Sequence, residues 1–312
     1  MSTSVIRTSG AWWVKNADRA TKIDTTAVTT GELLVDRAAI TAAAASGDSV
    51  AVDGLDLVSP VTRPCRVVAQ MTNFESHVRD SGMDPKTIPL TFFRKSSASI
   101  SGPFDDIVKP KHVQLLDYEV EIGLVIGRDM PVGTVLTDAN LGDYVAALVI
   151  TNDVSARDIQ LPQTQFYEAK SYPTFTPVGP ELVLLDGTEL ARFGDLRLTL
   201  SVSGDERQNS VVEGDMIFRP LAALQSLTRF QDLAAGDLVL TGTPAGTALK
   251  APPKPIEMIG ALLPPAVKWK VFFKRQAGNQ KYLQHGDVVE ATVATDDGAI
   301  DLGAQRMKVV YA

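Results

Sequence analysis

The chain has 312 residues, with 30 Lys+Arg against 37 Asp+Glu, a formal net charge of −7, and 45% hydrophobic and 21% charged residues. This length and composition exclude a stapled mini-protein and fit one large domain, or one large and one small, with a substantial core. The acidic balance and the lack of any Lys/Arg run argue against a nucleic-acid partner and for small-molecule chemistry.

In chain order, residues 1 to about 60 mix short alternating segments with an alanine-rich stretch from Arg37 to Ser46 that predicts a helix. Asp53-Gly54 predicts a hairpin turn between Ser49-Val50-Ala51-Val52 and Leu55-Asp56-Leu57-Val58. Pro60 and Pro64 bracket a segment where fixed φ discourages helix, which places a boundary there: residues 1–64 form a small accessory domain and 65–312 the main one. Asp117 to Ile126 alternates and predicts a strand. Tyr144 to Ile150 is continuously apolar and predicts a strand covered on both faces. The best helical run is Pro220 to Leu233, and Asp237 to Leu240 reads as another strand. The 28 residues after Lys250, opening APPKPIEMIGALLPPAV, predict a long ordered loop or arm, either a surface excursion or an active-site or dimer contact. The sum is a strand-rich α+β protein. No apolar stretch approaches the roughly 20 residues a bilayer span needs, and the first residues lack a signal-peptide core, so the expected setting is cytoplasmic, with no membrane partner.

A single cysteine, Cys65, cannot form an internal disulfide or a cysteine zinc site, and three histidines leave oxygen ligands as the main choice for any metal. Alternation puts Asp117, Glu119 and Glu121 on one strand face. Glu119 and Glu121 are spaced about 6.5 to 7 Å along the strand, close enough for both to reach one cation; the alternative is a half-exposed strand with a solvated acidic face. Asp153 ends the buried Tyr144–Ile150 segment, where a carboxylate is costly unless paired; Arg157 or a cation is the expected partner. Three carboxylates suit Mg²⁺, Mn²⁺ or Ca²⁺. His77 lies three residues before Asp80, neighbours on a helical turn, where the carboxylate can orient a general-base imidazole; the alternative is a surface or cap pair. Lys170 and the turn Thr241-Gly242-Thr243-Pro244 offer binding groups.

Glu119-Val120-Glu121, the run TNDVSARDIQ from Thr151 to Gln160, Lys170-Ser171 and Thr241-Gly242-Thr243-Pro244, in this order, resemble the fumarylacetoacetate hydrolase family. The resemblance covers roughly residues 65 to 250 and resumes at His285-Gly286-Asp287-Val288-Val289-Glu290. It implies that family's mixed β-roll or β-sandwich with a metal centre between sheets, and a homodimer. It also implies that Glu119, Glu121 and Asp153 hold Mg²⁺ or a similar ion, that His77 is the general base beside Asp80, and that Lys170 is a substrate-facing cation. Arg157, Gln160 and Thr243 are implied substrate contacts, and Arg94 is grouped with them. The chain departs from the family where His77 is followed by Asp80 rather than a glutamate, and at Arg94-Lys95-Ser96-Ser97. The implied activity is hydrolysis of a carbon–carbon bond in a 1,3-dicarbonyl or acylpyruvate-type keto acid, fumarylacetoacetate- or fumarylpyruvate-like, as met in aromatic compound catabolism. Decarboxylation of a 2-oxo acid or isomerisation of a 2-hydroxydiene-dioate at the same centre is the alternative, and a scaffold with a structural cation is the non-enzymic one.

Overall fold

The structure is a computed structural model that describes residues 2–163, 166–251 and 262–312. The N-terminal part runs β1 (Thr3–Thr8), β2 (Ala11–Asn16), β3 (Arg19–Lys22), α1 (Thr30–Val35), α2 (Arg37–Ala45), β4 (Val50–Ala51) and β5 (Leu57–Val58). Then come β6 (Val67–Gln70), α3 (Glu75–Asp80), β7 (Phe92–Lys95), β8 (Ile100–Ser101), β9 (Ile107–Lys109), β10 (Leu116–Asp117) and β11 (Val120–Ile126). The middle holds α4 (Leu141–Tyr144), β12 (Val145–Asn152), β13 (Ser155–Ala156), α5 (Arg157–Gln160), β14 (Thr176–Pro177), β15 (Leu182–Leu184) and α6 (Gly187–Leu190). The chain closes with β16 (Leu196–Val202), β17 (Asp205–Val211), α7 (Pro220–Leu227), β18 (Leu238–Leu240), α8 (Pro265–Gln276), β19 (Val288–Thr295) and β20 (Asp301–Tyr311).

The strands assemble into two large sheets. An eleven-stranded mixed sheet has the order β4-β3-β2-β1-β15-β12-β11-β18-β6-β7, with β5 added on β1, and a five-stranded sheet has the order β17-β16-β19-β20-β9. Period-two alternation splits the residues of β11 and β12 between two cores. Ile122, Leu124, Leu148 and Ile150 pack with Leu198, Leu200, Val293 and Met307 of the smaller sheet, which makes a sandwich. Val125, Ala147 and Val149 face the other way, into a core shared with Leu33, Leu34 and Ile40 of α1 and α2. Both faces are therefore covered, and all seven residues of β11 and all eight of β12 are buried. Among the described residues no helix is long and apolar enough to cross a membrane.

Several expected elements differ. The helix predicted at Arg37 to Ser46 forms over Arg37–Ala45, with Asp36 accepting from Ala39 N. The hairpin around Asp53-Gly54 does not form: Val50 and Ala51 pair with Ala20 and Arg19, while Leu57 and Val58 pair with Thr8 and Arg7. Its arms are too short to stabilise each other, and the β1–β2–β3 meander supplies longer partners. The helix predicted from Pro220 to Leu233 stops at Leu227, because Leu233 is drawn into a backbone bridge with Met130. The loop expected after Lys250 is in part a twelve-residue helix, α8, while residues 252–261 lie outside the described residues. Pro265 occupies the first turn, where its missing N–H costs nothing, and no glycine or proline follows until Gly278.

Candidate functional site

β11 and β12 run antiparallel with Glu121 opposite Thr151 and Gly123 opposite Val149, and Asp153 N donates to Glu119 O at 2.8 Å. One face therefore reads Val125, Gly123, Glu121, Glu119 on one strand and Ala147, Val149, Thr151, Asp153 on the other. It is apolar where it meets the second core and acidic at one end. Oxygens of Glu119, Glu121 and Asp153 converge there within 4.8 Å of one another. All three side chains are buried, which overturns the alternative of a solvated acidic face. Asp117 is buried too, but it points away to Arg157, whose Nε donates to it at 2.8 Å.

Three buried cations surround these acids. Lys170 Nζ donates to Glu119 Oε2 at 2.8 Å and to Asp153 Oδ2 at 2.5 Å. Arg157 spans Asp117 and Glu119 and also donates from Nη1 to Gln160 Oε1 at 2.8 Å. Lys95, which sequence reasoning passed over, donates to Asp153 and, at 2.9 Å, to the carbonyl of Phe175. Of the partners expected for Asp153, Arg157 or a cation, Arg157 goes to Asp117 and Glu119 instead, and the ammonium groups of Lys95 and Lys170 pair with Asp153. Arg94 is a further correction. It is exposed and lies outside the cavity wall, while its neighbour Lys95 is 2% exposed. Neighbouring residues of β7 point to opposite faces, and the aromatic pair Phe92-Phe93 gives no alternation from which to tell which face is which.

Four carboxylates against three cations leave one negative charge uncompensated, and it falls on Glu121. Burial raises the Glu119 carboxyl, but Lys170 and Arg157 outweigh that and hold it well below the usual carboxylate range. Burial, followed by Asp153 and Glu119, pushes the Glu121 carboxyl well above that range. Its one hydrogen bond among the described residues comes from Gly242 N at 2.7 Å. Hard oxygen donors with an unneutralised charge fit a divalent cation of the Mg²⁺, Mn²⁺ or Ca²⁺ type, with Glu119, Glu121 and Asp153 as its holders.

Gly242 has φ +85°, and a Cβ there would lie 2.8 Å from Asn73 Cβ, so only glycine lets this amide approach Glu121. Asn73, also unforeseen, donates to Thr241 O at 2.8 Å and Phe218 O at 3.0 Å, fixing the entry to α3 against the loop after β18. Thr243 Oγ1 donates to Val120 O and accepts from Gln208, a buried residue on β17 that also donates to Pro244 O. The Thr243 hydroxyl proton is therefore committed to holding the loop. Sequence signals for Asn73 and Gln208 are absent, because each acts through a partner more than 30 residues away.

His77 is half-buried on α3, and its Nδ1 is buried with no hydrogen-bond partner among the described residues. Burial holds the imidazole below its ordinary value; Glu119 opposes this, and Arg157 and Lys170 add to it. No hydrogen bond joins His77 to Asp80, whose carboxylate instead faces Lys250 Nζ at 3.8 Å. His77, Glu119, Glu121 and Lys170 form the polar floor of a cavity of about 780 Å³, with Arg157, Gln160 and Thr243 beside them. Asp80 and Arg94 are not part of its wall.

The family model described as fumarylacetoacetate hydrolase C-terminal matches residues 66–310. A mitochondrial oxaloacetate tautomerase of Bos taurus is 34% identical over 199 residues, 63% of this chain and 61% of that protein, so the match spans less than two thirds of that relative's length. A 2,4-didehydro-3-deoxy-L-rhamnonate hydrolase of Sphingomonas sp. (strain SKA58) is 34% identical over 251 residues, 80% of this chain and 75% of that protein. A solved structure described as a probable 2-hydroxyhepta-2,4-diene-1,7-dioate isomerase from Mycobacterium abscessus superposes with a TM-score of 0.74 at 26% identity, covering 100% of this chain and 99% of that one. With the matched region taking in strands of both sheets and every acidic residue of the site, the chain belongs to the fumarylacetoacetate hydrolase family.

Proposed function

We propose that this protein is a metal-dependent hydrolase cleaving a carbon–carbon bond in a 1,3-dicarbonyl or acylpyruvate-type acid. The observation that carries this reading is the buried Glu119–Glu121–Asp153 triad, of which Glu119 and Glu121 reach the floor of a cavity that also exposes His77. Glu119, Glu121 and Asp153 would hold a divalent cation, which when bound would supply Lewis-acid polarisation of the substrate carbonyl. His77, kept neutral by burial, takes the proton of the attacking water. Lys170 Nζ offsets the charge that develops as the enolate departs. Gln160 has its amide oxygen occupied by Arg157, which leaves its NH₂ to donate to the substrate carboxylate.

One observation favours a second reading. His77 has no hydrogen bond to Asp80 and its buried Nδ1 has no partner among the described residues, and tautomerisation or isomerisation of a 2-oxo acid needs a proton carrier but no activated water. The test is enol absorbance loss across a panel of acylpyruvates with Mg²⁺, Mn²⁺ or EDTA, run in ¹⁸O-water. Label in a carboxylate product supports hydrolysis. Metal-dependent absorbance loss without label supports the second reading.

A further inference from the structure

The cavity is far larger than a keto-acid head requires. Away from the polar floor it is lined by α8, the loop before β7 and β7 itself, where Trp269, Phe272, Met83, Ile88 and Phe93 present apolar surface. Lys268 and Arg275 of α8 reach the same wall, but both are exposed, and Lys250 faces Asp80, so these cations belong to the mouth.

One polar side chain of the cavity wall stands out. Gln70, at the end of β6, is 2% exposed, and neither its Oε1 nor its Nε2 has a hydrogen-bond partner among the described residues. Thr91 lies alongside, its carbonyl accepting from Met71 N at 3.0 Å, and its Oγ1 is also buried with no hydrogen-bond partner among the described residues. Both residues line the cavity. A buried amide without a partner is costly, and native proteins keep few of them. Placed in a cavity wall beside the reacting centre, it is positioned for a ligand that completes it. Gln70 leaves an acceptor, Oε1, open beside its donor Nε2, so the matching group must donate as well as accept, which a hydroxyl does and a carboxylate does not.

Resting on the hydrolase reading above, we infer that the substrate is a 2,4-dioxo acid whose acyl group is extended and apolar and carries one uncharged hydrogen-bonding group, selected by Gln70 with Thr91. Gln70 is a specificity-determining residue and takes no part in the chemistry.

The test measures kcat/KM with Mg²⁺ for acetylpyruvate, fumarylpyruvate, benzoylpyruvate and the three ring-monohydroxylated benzoylpyruvates, in the wild type and in Gln70→Met. Calorimetric affinities are taken for the same compounds. One hydroxylated benzoylpyruvate is expected to lead the unsubstituted compound by about tenfold, with benzoylpyruvate ahead of both small substrates. Gln70→Met is expected to erase the hydroxyl's advantage while moving benzoylpyruvate by less than about threefold. Equal loss on every compound would make Gln70 merely structural and overturn the inference. Fumarylpyruvate in the lead, or no hydroxyl preference in the wild type, also overturns it. If nothing is cleaved, the hydrolase reading fails and the affinities decide: a hydroxyl preference lost in Gln70→Met upholds the inference, and its absence ends it.

Discussion

Glu119 and Asp153 sit opposite one another at the ends of β11 and β12 and share a single ammonium, Lys170 Nζ, at 2.8 and 2.5 Å. Glu121, two residues along the strand from Glu119, has no such partner among the described residues, and the site's chemistry follows from that asymmetry.

The metal-free protein carries Glu121 as its weak point. A carboxyl whose folded pKa is raised contributes stability that is present at low pH and lost as pH rises above the ordinary value of 4.5. Denaturation in EDTA is therefore expected to show falling stability between pH 5 and 7.5, with Glu121→Gln flattening the slope. Mg²⁺ at about 100 times its Kd adds roughly 2.7 kcal/mol to the wild type and little to Glu121→Gln. Equal stabilisation of both proteins would place the ion elsewhere.

Lys95 and Arg94 are neighbours with opposite duties. Removing one partner of a buried pair leaves an uncompensated charge, so Lys95→Met is expected to cost about 3 to 5 kcal/mol in urea unfolding. Arg94→Met, at an exposed position, should stay within about 0.5 kcal/mol. Similar costs for the two would remove Lys95 from the site.

His77 sets the acid limb of turnover. Burial holds its folded pKa down, so the neutral base persists below pH 6.5, and the midpoint of the acid limb of kcat/KM is expected below that value. His77→Ala should lower kcat by about 10² to 10⁴ while Mg²⁺ binding, followed by calorimetry, persists. A midpoint above 6.5, or loss of metal affinity, contradicts this role.

Cys65 is a silent thiol. Burial, then Asp237, pushes its pKa up to about 12. Ellman's reagent at pH 8 should leave the native protein unlabelled and titrate one thiol in urea. Rapid labelling of the folded protein would mean that this segment opens readily.

The acidic floor was legible because two strong patterns agree: alternation through Asp117 to Ile126, and a continuously apolar run that ends in Asp153. Each places its carboxylates by parity alone, and antiparallel pairing brings the two sets together. Lys95 was hidden because Phe92-Phe93-Arg94-Lys95 carries no alternation. α8 was hidden by the prolines around it, although PAVKWKVFFKRQ itself contains no helix breaker after its first residue. The separation of His77 from Asp80 was beyond reach, since spacing shows which side chains can meet and not that Lys250 lies closer to the carboxylate.

β1 joins the large sheet by pairing Thr3, Ser4 and Val5 with Leu184, Val183 and Leu182 of β15, and the meander then carries the sheet out to the two-residue β4. Residues 3–58 thus shield a strand that would otherwise present unpaired N–H and C=O groups beside buried leucines. Clipping them away would leave a template for strand addition between molecules, and association, before any loss of chemistry, is the failure this arrangement prevents.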